Sequence, residues 1–242
     1  MRKVTSAALL AIKLSFGAAL SVILAGLVIQ TASVFHWLMP GGVPLQTSFG
    51  FETLLESAVE PFGKPFLLAL LVCVTIRPAA TRGSKTVYTL NRLGLSELQM
   101  TLVFGAVFSG YFLLYWAMQL AFAYGVFVWY SQFSLVSSNA FMLAAWRSEW
   151  LHLLLPLGEW WGYLRNAVLC LSLGFCAAFG SQLSRHGKTA SWAILFPALL
   201  CSLMLSGRIG EFGYSILLTV LLIAFTVGYF FAVKGGLEHE DL

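Results

Sequence analysis

An all-α, polytopic membrane protein of six transmembrane helices with both termini cytoplasmic is predicted by three observations. Long uncharged apolar runs recur from end to end, charged residues make up 10% of the chain, and basic residues concentrate in alternate loops. Soluble domains carry about a quarter charged residues, whereas these 242 residues are 59% hydrophobic with a mean hydropathy of +0.85. The chain reads as a single transmembrane domain, 1–242, with no room for a second, water-soluble one.

After a basic start (Arg2, Lys3, Lys13), the first apolar run covers 14–38. A secretory h-region is only about 7–15 residues long, and here apolar sequence continues past Ala25 to Ile29, so an uncleaved span is expected. The second span, 57–76, is less obvious. Its uncharged part, Pro65 to Ile76, is too short to cross about 30 Å at about 1.5 Å per residue. It therefore borrows residues back to Ser57, bringing in Glu60 and Lys64 at i, i+4 spacing, where they can pair on one helix face near the outer interface. The third run, 100–130, holds no charge over 31 residues and reads as one long or kinked helix with Gly105 and Gly110 as possible bends.

The segment 131–161 mixes Trp146, Trp150, Trp160 and Trp161 with Arg147, Glu149 and Glu159 among leucines, the composition of a headgroup boundary. It is placed on the outer surface, padding the interface in preference to shaping an exit route. Three more spans follow at 163–183, 190–205 and 212–233. With alternate loops assigned to the cytoplasm, ten of the fourteen basic residues lie inside. Only Lys64, Arg147, Arg165 and Arg208 fall outside, which sets both termini in the cytoplasm.

Several chemistries are disfavoured. Cys73, Cys170, Cys176 and Cys201 sit in apolar runs with no C-x-x-C pair and read as buried small residues. His36, His152, His186 and His239 fall at span ends or in loops, so no catalytic or metal-binding constellation is visible and the chain reads as a non-enzyme. Asp241 is the only aspartate and no glutamate lies near mid-span, which argues against ion coupling. Gly180 and Gly187-Lys188-Thr189 imitate a P-loop, but six residues separate the glycines instead of four. Any nucleotide sits on another chain. The basic residues are dispersed among short loops, which excludes a nucleic-acid face.

The longest cytoplasmic loop, 77–99, has internal order. Ser84 can cap a short helix whose Val87, Leu90, Tyr88 and Leu93 form one apolar face, with Lys85 and Arg92 on wet positions; Ser96 can cap the next span. The alternative is a solvated connector carrying positive-inside charges. Just before span three the chain reads Thr89-Leu90-Asn91-Arg92-Leu93-Gly94-Leu95-Ser96-Glu97. In position and pattern this resembles the coupling helix of the permeases of ABC type-2 transporters, with glycine where proline is usual.

The resemblance covers the six-span layout of nearly the whole chain. It implies the permease subunit of an ATP-driven exporter in a bacterial inner membrane, moving an amphiphilic or lipid-like, peptide or drug substrate outward. It further implies a homodimer, or a heterodimer with a related permease, driven by separate ATP-binding cassette subunits that hold ATP and Mg; no cofactor or metal is expected on this chain. Ser84, Tyr88, Leu90, Arg92, Leu93 and Glu97 are the implied partner-coupling residues. Two features depart from the family: a short segment before span one, and the large 131–161 stretch.

Span three also carries Phe104, Phe108, Tyr111, Tyr115, Gln119 and Phe122 at steps of three and four, one helical stripe. Helix packing or lipid contact accounts for such a stripe, and in an exporter it is also a candidate substrate path. Gly17, Ala18, Gly26, Gly174, Ala178 and Gly180 suggest close helix contacts. The competing classes are a non-transport membrane assembly or sensor protein and an ion-coupled secondary carrier.

Overall fold

The computed structural model describes residues 2–39, 50–79, 92, 94–132, 139–187, 191–205 and 212–238. All regular structure among them is helical. Helix α1 spans Arg2–Leu38. Helix α2 starts at Phe51–Leu54, passes through a π-helical turn at Leu55–Val59 and continues as Glu60–Ala79. Then come α3 (Glu97–Tyr130), α4 (Ala140–Arg147), α5 (Glu149–Leu154), α6 (Trp160–Arg185), α7 (Ser191–Leu205) and α8 (Phe212–Glu238).

Five helical stretches are long and apolar enough to cross a bilayer: Lys3–Leu38, Phe51–Arg77, Glu97–Tyr130, Trp160–Arg185 and Gly213–Phe231. The chain is thus an all-α, multi-pass membrane protein by helix length and hydropathy. The span expected at 190–205 is a helix of 15 residues, about 22 Å long and short of the hydrocarbon thickness. Helix α1 extends about three turns ahead of the expected start at Leu14, and α2 begins before Ser57. The π turn has a local cause: Pro61 lacks an N–H, and its ring crowds the carbonyl four residues back, so the ladder just upstream slips to i→i+5; Glu60 N–H bonds Leu55 O.

The helices alternate in direction. Helix α2 is antiparallel to α1, with Gln30 bonding Val59 O and Phe66 against Gly26. Helices α3 and α6 make the most extensive contact in the bundle and are antiparallel, because Thr101 meets Gln182 while Ser109 meets Leu171. Helix α8 runs parallel to α6, since Arg165 reaches Ser215 and Cys176 reaches Thr226. The close α3–α6 approach depends on Gly174: a Cβ there would run into the Ser109 backbone. Gly26 likewise meets a neighbouring side chain, whereas Gly17, expected at a contact, has nothing within 4 Å. Helix α3 runs as one continuous helix through Gly105 and Gly110.

The described part of 131–161, expected on the outer surface, is in part packed into the bundle. Trp146 and Trp160 do face outward, but Trp150 is only 1% exposed, as Leu151 and Leu154 are also buried. Its indole packs on Gly63 of α2, where any Cβ would collide with it. The inserted turn is pinned from two sides. Trp116 Nε1 donates to Leu154 O at 3.1 Å and Asn166 Nδ2 donates to Leu153 O at 2.8 Å. A backbone this deep needs partners for its carbonyls, and these two side chains supply them.

Candidate functional site

The end of the bundle where α3 begins brings together the described part of the expected coupling segment. Ser84, Tyr88, Leu90 and Leu93 lie outside the described residues; Arg92 is exposed. Gly94 has φ of +58°, the left-handed region that glycine adopts readily and a proline ring forbids. Lys3 Nζ of α1 comes within 3.6 Å of where a Gly94 Cβ would stand.

Helix α3 then opens with a reciprocal cap: Ser96 Oγ accepts from Gln99 N–H at 3.2 Å, and Gln99 Oε1 accepts from Ser96 N–H at 3.3 Å. The first residue inside, Glu97, is tied across to the last turn of α6. Gln182 Nε2 donates to Glu97 Oε2 at 2.5 Å, and His186 Nε2 lies 3.3 Å from the same oxygen. Thr101 Oγ1, one turn on, bonds Gln182 Oε1, so a single buried amide links both first turns of α3 to α6.

The two ends of the bundle differ in charge. Among the described side chains, the α3 N-terminal end carries Lys3, Arg77, Arg92 and Arg185 against Glu97. The opposite end carries Glu52, Glu56, Glu60, Glu149 and Glu159 with Lys64, Arg147 and Arg165. Lys64 pairs with Glu60 on successive turns, as the spacing predicts, and Arg147 reaches Glu52 at 3.4 Å.

The stripe on α3 faces into the bundle. Phe104, Phe108, Tyr111, Tyr115 and Gln119 are buried, while Phe122 is half-buried at the edge of the packed core. The rings stack along the helix, Phe104 edge-on to Phe108 at 5.7 Å and Phe108 to Tyr111 at 6.3 Å. Their polar ends are all engaged. Tyr111 Oη sits 3.1 Å from Ser15 Oγ, Tyr115 Oη donates to Gly63 O at 2.5 Å, and Gln119 exchanges two 3.0 Å bonds with Gln30. Gln30 Nε2 also reaches Val59 O at 3.2 Å. The arrangement holds α1, α2 and α3 together through neutral bonds, which in hydrocarbon replace the water each group lost.

Gln30 and Gln182 take central places that the sequence did not single out, and Trp150, expected among the interfacial tryptophans, is buried. A signal existed for the first: Gln30 is the lone amide in an apolar run, and such a group must find a partner inside a bundle. Among the described residues, no group of three His, Cys, Asp or Glu side chains could hold a metal ion. No protein-family model, curated protein or solved structure matches this chain.

Proposed function

We propose that the chain is the transmembrane permease subunit of an ATP-driven exporter, moving an amphiphilic or lipid-like, peptide or drug substrate outward in a bacterial inner membrane. The ATP-binding cassette subunits are separate chains that hold ATP and Mg, and the permease works as a homodimer or with a related permease. The reading counts six crossings with both termini cytoplasmic: α6 and α8 run parallel, so α7 must return between them despite its length. The basic end is then the cytoplasmic one.

The observation that carries the proposal is the linkage at Glu97. The motif from Thr89 to Glu97 leads straight into α3, and Glu97 is bonded to Gln182 and lies beside His186 on α6. A push on the loop therefore reaches the two most closely packed helices together. ATP binding and hydrolysis on the partner would supply two states with different affinity for this end, which any driven conformational change requires.

Gentle-detergent purification of the tagged chain, with the native loop and with 84–97 replaced by a Gly/Ser linker, tests the reading. An ATP-binding subunit that co-purifies with the native loop and is lost with the linker, while the bundle stays folded, is the expected result. Absence of any nucleotide-binding partner from both preparations would favour an assembly or sensor protein instead.

A further inference from the structure

We propose that the Arg185 end of α6 binds the phosphate of an anionic lipid headgroup. Arg185 is half-buried, with its Cζ 5.3 Å above the Phe104 ring. Among the described residues its Nη1 has only the thioether sulfur of Met100 at 3.9 Å, a weak acceptor, and its buried Nε has no partner. Among the described residues no carboxylate lies within the 4.0 Å of an ion pair. Glu97, the acid at this end among the described side chains, is bonded by Gln182 and lies beside His186, and it acts on Arg185 through its charge from beyond ion-pair distance. One turn deeper on the same helix face, Ser181 Oγ is buried without an acceptor or donor.

A guanidinium keeps its charge under all ordinary conditions, and its planar fork of donors matches phosphate oxygens. Arg165, at the other end of the same helix, makes a useful contrast. Its Nε donates to Asn166 Oδ1 at 3.3 Å and its Nη1 to Ser215 Oγ at 3.5 Å. That arginine has oxygen acceptors from the protein; among the described residues Arg185 has none within hydrogen-bond distance.

Position selects a lipid over a soluble anion. Arg165 and Arg185 are twenty residues apart on one helix, about 30 Å along its axis, which is the hydrocarbon thickness. Arg185 therefore stands at headgroup level. Leu98 and Leu102, exposed on the first two turns of α3, put acyl-chain contact at the same depth. Among the described side chains Lys3, Arg77 and Arg92 make this end the basic one, and basic pockets between spanning helices attract anionic headgroups.

The test is native mass spectrometry of the intact purified chain titrated with phosphatidylglycerol, with phosphatidylcholine, and with phosphatidylglycerol in the presence of inorganic phosphate. Wild type is expected to hold one phosphatidylglycerol about tenfold more tightly than Arg185→Gln, a loss of roughly one fork-type charged contact. Arg147→Gln, at the opposite end, and Glu97→Gln should both keep the bound lipid. Arg185→Lys preserves charge without the fork and is the variant to use if the glutamine chain does not fold; its affinity should fall about threefold. Equal retention by wild type and both Arg185 variants would overturn the site. Phosphatidylcholine binding as tight as phosphatidylglycerol would overturn the anionic preference, and displacement by equimolar inorganic phosphate would reassign the site to a soluble anion.

Discussion

Helices α6 and α8 are similar in length and run parallel side by side, yet 67% of the apolar stretch of α6 is buried against 17% of that of α8. The buried helix is the less apolar of the two. It presents Ser172, Gly174, Ala177, Ala178 and Ser181 to its neighbours, whereas α8 turns Leu217, Val220, Ile223, Val227 and Phe231 outward. Lipid tails are as apolar as leucine, so hydrophobicity gives no reason to leave them; small residues that let backbones approach do. Burial in this molecule follows close packing and polar pairing, and the greasiest surfaces are the ones left for lipid.

Substitutions that exploit this difference should rank accordingly when thermal unfolding is followed in mild detergent. Trp150→Ala removes the fully buried indole from its seat on Gly63 and is expected to cost about 3–5 kcal/mol; Trp160→Ala, 74% exposed, should change the midpoint little. Gly174→Leu forces α3 and α6 apart at Ser109, a loss of about 3 kcal/mol, while Gly228→Leu on α8, with nothing within 4 Å, should stay within about 0.5 kcal/mol of wild type. If the two glycines respond alike, burial on α6 is not set by close approach.

Smaller effects sharpen the polar half of the comparison. Gln30→Leu leaves the Gln119 amide unpaired and removes the side-chain donor to Val59 O, and is expected to cost about 1–2 kcal/mol. The double variant Gln30→Leu/Gln119→Leu should cost less than the sum of the two single changes, because no amide is left unpaired. Additive losses would show that the pair does not act as a unit. Arg147→Gln breaks an exposed ion pair to Glu52 and should lower stability by at most about 0.5 kcal/mol, less still in high salt.

At the candidate coupling end, part of the arrangement was legible beforehand. Ser96 was readable as a cap because a serine precedes a long apolar run, and capping is a local bond between residues three apart. Glu60 and Lys64 were readable as a pair for the same reason. Glu97 could be singled out from the motif, but its partner on α6 could not, since Gln182 lies 85 residues away and nothing local to either residue points to the other.

The sequence by itself determined that this is a multi-pass helical membrane protein, where its long apolar stretches lie, and that its basic residues gather at one end. Apolar run length and charge placement depend on the bilayer alone, which every residue meets at a known depth. Only the tertiary structure decided which side of each helix faces its neighbours, that Gln30 answers Gln119, and that Trp150 tucks onto Gly63 instead of lying in the headgroups. The long helices are apolar all round, so they lack the polar face that tells a soluble helix which way to turn; in lipid that choice falls to small residues and paired polar groups brought together from distant parts of the chain.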